Sequence, residues 1–121
     1  LGALCRGLGV IVFPRWGEVG VIRVLRALVR RVSVVLFPQG SRSGGRFRGG
    51  IGRIAGRGDV EVLPVHVAGA QELLPKGTIR PRRSDVAVRF GEPVMLEPSE
   101  TPEAFAARLE RIVLVDLEIA A

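Results

Sequence analysis

Apolar positions along the chain fall into three rhythms. Leu8–Phe13 (LGVIVF) and Val32–Phe37 (VSVVLF) are continuous apolar runs, each stopped by a proline, Pro14 or Pro38. Such runs predict buried strands. Val60–Val67 (VEVLPVHV) is a third strand candidate, but its internal Pro64 donates no hydrogen bond. That places it at an edge, a bulge or a strand end. Asp85–Phe90 (DVAVRF) alternates with period two, and Val94–Leu96 follows as a short strand candidate after the Gly91-Glu92-Pro93 break. Elsewhere the spacing is helical. Over Glu18–Arg31, Val21, Ile22, Leu25, Leu28 and Val29 recur at three and four, predicting one core face with Arg23, Arg26 and Arg30 opposite. Gly49–Arg57 predicts a short helix around Ile51, Ile54 and Ala55, although its glycines oppose one. Ala70–Gly77 reads as a turn or short helix. Thr101 stands as an N-cap, with Pro102 at the first helical position and Glu103 near the positive helix end. Phe105, Leu109, Ile112 and Val113 then mark an amphipathic helix.

This order of elements predicts an α/β layer fold, a mostly parallel or mixed sheet flanked by helices. At 121 residues, with no linker, repeat or low-complexity tract, residues 1–121 read as a single domain. The hydrophobic fraction of 47% is enough for a core, and with 5% aromatics that core is aliphatic. No apolar stretch approaches the roughly 20 residues of a membrane span. Any membrane contact of these residues is therefore expected to be peripheral. The lone Cys5 forms no intrachain disulfide and belongs to no Cys/His metal set; it reads as a small buried hydrophobe.

Charge sharpens the picture. Residues 1–60 hold eleven Arg against Glu18 and Asp59, a balance of +9, while residues 61–121 hold seven cations against ten acids, a balance of −3. A basic half points to an anionic partner such as a phosphate ester, a lipid headgroup or a nucleic acid. Arg outnumbers Lys seventeen to one, so genomic base composition accounts for the excess equally well. Nucleic acid is disfavoured, because no nucleic-acid motif appears and only Trp16 and Phe47 stand beside arginines in the basic half.

The candidate chemistry lies in Phe37–Ser43, FPQGSRS. A buried strand ends at Pro38, and the chain then delivers Gln39, Ser41, Arg42 and Ser43, with Gly40 allowing a sharp turn. Polar groups at a strand's C-terminal end commonly build sites in α/β proteins. A guanidinium fork such as that of Arg42 matches phosphate. Arg46, Arg48 and Arg53 add positive potential. The segment is not a Walker loop, since the lysine pattern is missing. Upstream, LGVIVFPR ends at Arg15.

Four blocks in order resemble the glycerolipid acyltransferase family, the PlsC-like 1-acyl-sn-glycerol-3-phosphate acyltransferases. Gly9 to Arg15 is similar to that family's Gly-x-x-x-x-x-Arg at a strand end, and Phe37 to Ser43 to its Phe-Pro-Glu-Gly-Thr-Arg-Ser. Val60 to Val65 matches its proline-bearing strand, and Val88 to Val94 its closing Phe-Gly-x-Pro phrase. The resemblance implies a glycerol-3-phosphate acyltransferase-like fold. It also implies acyl transfer from acyl-CoA or acyl carrier protein, as co-substrate, to the hydroxyl of a lysophosphatidate-like acceptor. Arg15, Gln39, Gly40, Ser41, Arg42 and Ser43 would form the acceptor-phosphate pocket. No cofactor or metal is implied. The expected setting is the cytoplasmic face of a membrane, with peripheral contact to an anionic surface.

Two departures matter. In that family a His-x-x-x-x-Asp pair supplies the base, but here the only histidine is His66, and Gln71 stands five positions on. His66 therefore reads as a strand residue, and the chain as the C-terminal portion of the domain, inactive alone and truncated at its N-terminus. Gln39 replaces the usual Glu, keeping an acceptor oxygen but losing the charge. The competing expectation is a degenerate, non-catalytic module that binds phosphate or an anionic membrane.

Overall fold

The computed structural model describes residues 18–39 and 46–119. The strand expected at Leu8–Phe13, together with Cys5, lies outside them. The chain divides into two compact units, Leu1–Val35 and Leu36–Ala121. The first contains helix α1, Glu18–Val29. The second contains α2 (Gly50–Gly58), β1 (Val65–Ala68), α3 (Ala70–Leu73), β2 (Ala87–Phe90) and α4 (Pro102–Arg111). A π-helical turn, Ile112–Asp116, then joins α4 to α5, Leu117–Ile119.

Helix α1 ends where Arg31 adopts a left-handed φ of 58°. Its buried face is centred on Val21 and Val24, whereas Ile22 and Val29 are exposed, Val29 to 84%. The expected core face is thus rotated. Val24 belongs to it, while Ile22 and Val29 lie beside the exposed Arg23, Arg26 and Arg30. Val32–Phe37, read as a strand, pairs with no described strand, and Val35 and Phe37 are exposed. An apolar run becomes a strand only where a neighbour takes its backbone groups.

The core of the second unit is a helix pair. Ile51 and Ala55 of α2 pack with Phe105, Ala106 and Leu109 of α4, and Phe105 is fully buried. The helices meet closely at Gly52, where any Cβ would collide with the backbone of Pro102. The glycines that weaken α2 as an isolated helix therefore permit its packing, and tertiary contact outweighs propensity. Asp59 caps α2 in the left-handed conformation, φ 46°. Helix α4 begins as its spacing predicts: Thr101 Oγ1 accepts from Ala104 N at 3.2 Å, with Pro102 next. The π-helical turn was not foreseen. Its wider spiral shifts the register, so that Leu117 is buried and Asp116 exposed.

The sheet consists of two antiparallel strands, pairing Val65 with Phe90, His66 with Arg89, Val67 with Val88 and Ala68 with Ala87. The expected sheet, mostly parallel or mixed, shows no parallel pair among the described residues. Pro64 cuts the predicted strand Val60–Val67 because it has no N–H to give. Beyond it, only the isolated bridge Val62–Val94 continues the pairing, and the expected strand Val94–Leu96 reduces to that bridge. Residues directly opposite each other share a face. On one face His66 and Arg89 reach the C-terminal helical segment. On the other, Val67, Val88 and Phe90 are exposed, Phe90 to 66%. No helix among the described residues is long and apolar enough to cross a membrane.

Candidate functional site

The residues described before and after the segment that carries the candidate chemistry contact the α2–α4 core. On its leading side Leu36 turns inward onto the α2–α4 core while Phe37 is exposed. On its trailing side Phe47 packs on the same core, between the exposed Arg46 and Arg48. Arg48 N donates to Pro38 O at 3.2 Å, joining the two sides. Phe47 N donates to Glu110 Oε2 at 2.6 Å, a bond between a backbone amide and a carboxylate of α4. A hydrogen bond to an ionised acceptor is among the stronger kinds in a protein. The described residues on either side of positions 40–45 thus meet the α2–α4 core.

Of the residues assigned to the phosphate pocket, Gln39 lies within the described residues, half-buried next to Pro38. Arg15, Gly40, Ser41, Arg42 and Ser43 lie outside them, and so does the expected convergence of Arg15 with Arg42. Arg46 and Arg48 on the trailing side, and Arg53 on α2, are exposed to solvent, where they contribute positive potential. The carboxylate of Glu103 lies beside Gly49, at the start of α2, placing negative charge at the helix's positive end.

His66 has a structural role. Its Nδ1 is 2.8 Å from Val113 O in the π-helical turn. Arg89, opposite it on β2, donates from a terminal guanidinium nitrogen to Leu117 O at 3.3 Å. These bonds satisfy carbonyls that the irregular helix end leaves open. A second polar cluster lies at the start of α4. Arg108 forms a two-pronged bond to Glu100, Nε to Oε1 at 2.9 Å and a terminal nitrogen to Oε2 at 2.7 Å, and also donates to Met95 O. The hydrogen bonds from Arg108 hold the Glu100 carboxyl below its usual range. The Arg108 guanidinium is 5.1 Å from the centre of the Phe105 ring, at cation–π distance.

Sequence reasoning missed Glu110 and the Glu100–Arg108 pair. No local signal marks Glu110, since its partner is 63 positions away. The spacing of Glu100 and Arg108 across a helix start was the one available hint.

The described residues combine helices with a two-stranded antiparallel sheet, a mixed α/β body. Among solved structures, the chain is similar to the 1-acyl-sn-glycerophosphate (LPA) acyltransferase PlsC from Thermotoga maritima, with a TM-score of 0.69 and 28% identity. The match covers 81% of this chain and 46% of the Thermotoga chain, so the chain spans less than half the length of that protein. No family model matches the chain, and no curated protein matches it.

Proposed function

We propose that the chain is the acceptor-binding portion of a phospholipid acyltransferase. It would take part in acyl transfer from acyl-CoA or acyl carrier protein to the hydroxyl of a lysophosphatidate-like acceptor. The likeness to the Thermotoga LPA acyltransferase over 81% of the chain carries this reading. The FPQGSRS sequence supports it, with Leu36 before it and Phe47 after it packed on the α2–α4 core. Arg42 and Arg15 grip the acceptor phosphate, and Ser41, Ser43 and Gln39 supply hydrogen bonds around it. Fixing the phosphate presents the acceptor hydroxyl to the thioester carbonyl, a positioning effect. A base takes the hydroxyl proton, the oxygen attacks the carbonyl, and the thiol leaves. His66 does not fit that base, because Gln71 and not Asp stands five positions on. No His-x-x-x-x-Asp pair stands in these 121 residues, so the chain alone is expected to turn nothing over.

Steady-state kinetics of the whole protein test the reading. Losing one charged hydrogen-bonding group costs about 1.5–3 kcal/mol. Arg42→Ala is therefore expected to raise KM for lysophosphatidate by roughly 10–150-fold, with little change in KM for the acyl donor. Equal losses for the two substrates would remove the phosphate role. Phosphate binding by a whole protein without transferase activity would leave the alternative, a non-catalytic phosphate-binding module.

A further inference from the structure

The connection between β1 and β2 holds a large apolar side chain in open solvent. It leaves α3 at Leu73 and is closed where Arg82 N donates to Leu73 O at 2.7 Å. Inside it, Thr78 N and Thr78 Oγ1 both donate to Pro75 O, at 3.1 and 2.8 Å. Gly77 takes the left-handed φ of 83° that a type II turn asks of its third residue. The loop thus has a hydrogen-bonded frame of its own. Directly after the turn stands Ile79, 95% exposed, the most exposed large apolar side chain among the described residues. Leu74 is also exposed, at 43%.

Charge in this segment has one sign. From Leu73 to Ser84 there is no acid, and Arg80, Arg82 and Arg83 are exposed. The flanking Glu72 sits at the base of the loop, accepting from Ser84 Oγ at 3.4 Å. An exposed apolar residue followed by three exposed arginines is suited to an anionic lipid interface. The apolar group enters the boundary of the acyl region while the cations stay among the headgroups. A nucleic acid would call for stacking aromatics, and residues 69–89 contain none.

We propose that this loop is a membrane anchor, inserting Ile79 into an anionic bilayer while Arg80, Arg82 and Arg83 pair with lipid phosphates. The proposal rests on the reading above only in taking a bilayer as the partner. Flotation of the whole protein with phosphatidylcholine vesicles, with and without phosphatidylglycerol, tests it. Each arginine is worth roughly a fivefold change in partition. Replacing all three by alanine is expected to lower binding to the anionic vesicles by about a hundredfold, and Ile79→Asp by about tenfold. Arg23→Ala, Arg26→Ala and Arg30→Ala together on α1, an equal change of charge, are expected to cost less than about threefold if the loop is the anchor.

Loop variants that bind like the parent, or loss of binding on changing α1, would overturn the proposal. So would equal binding to neutral vesicles, or a loop that holds RNA or another protein more tightly than lipid. Acyl transfer to a detergent-dispersed acceptor separates the two readings. Vesicle binding through the loop without any transfer leaves the anchor standing and removes the enzyme. Transfer with unaltered vesicle binding in the loop variants does the reverse.

Discussion

The α2–α4 helix pair and the β1–β2 strand pair lie in the same unit and are built in opposite ways. The helices bury apolar side chains on both partners, down to full burial of Phe105, and approach closely enough to require glycine at position 52. The strands leave Val67, Val88 and Phe90 exposed and attach their other face through polar bonds from His66 and Arg89 to helix-end carbonyls. Apolar burial is the main stabilising term in folding, and a net hydrogen bond adds only about 0.5–1.5 kcal/mol. The helix pair therefore carries the stability of the unit, and the strands are held in place by it. Leu36 and Phe47, described residues before and after the FPQGSRS segment, pack on the stable partner.

The largest effect is expected at the centre of the helix pair. Phe105→Ala removes a fully buried ring and should destabilise the protein by about 3–5 kcal/mol, read by denaturant unfolding. Gly52→Ala comes next. Its new Cβ meets the Pro102 backbone, which cannot rotate away as a side chain would. Overpacking of this kind costs about 1–3 kcal/mol. Loss of the α2–α4 contact should also loosen the Pro38–Arg48 bond, visible as faster amide exchange at Arg48. Near-neutral results at both positions would move the centre of stability elsewhere.

The two regions also differed in how legible they were. The helix pair was written locally: Thr101, Pro102 and Glu103 announced the start of α4, and Ile51, Ile54 and Ala55 announced α2 in spite of its glycines. The strand pair was half legible. Alternation placed β2 at its observed position, but antiparallel pairing depends on which segments meet, and period two carries no information about that. Val32–Phe37 failed for a related reason, because an apolar run does not name its neighbour. The π-helical turn also went unseen, since Ile112 and Val113 fit an unbroken helix as well as an interrupted one. For the site, the motif placed Gln39 beside an anchored turn, but Glu110, which bonds to Phe47 N, was beyond local reading.

A smaller effect is expected from the Glu100–Arg108 pair beside the helix core. Its hydrogen bonds lower the Glu100 pKa in the folded chain. The unfolded chain therefore binds the proton more readily as pH falls below the ordinary glutamate value of 4.5. The pair's contribution is present above that value and is lost as pH falls through the lowered folded pKa. Thermal melts of Glu100→Gln should show a flatter decline between pH 5 and pH 3 than the parent, roughly the window of carboxylate titration. Parallel pH profiles would show the pair to be electrostatically idle.

The smallest effect should come from the open face of the strands, and it tests the comparison most sharply. Phe90 is as large as Phe105, yet it is 66% exposed. Phe90→Ser removes little buried area, so it should change stability by no more than about 0.5 kcal/mol. It should also lower any tendency to associate through the apolar patch of Val67, Val88 and Phe90. Unfolding and sedimentation of the whole protein give both readings. A cost at Phe90 approaching that at Phe105 would mean that this face is covered by another part of the protein. The strand pair would then be a second load-carrying layer, as the expected α/β layer fold requires. A small cost would leave the helix pair as the main buried core among the described residues of the unit, with the sheet presenting its apolar face to whatever the protein meets.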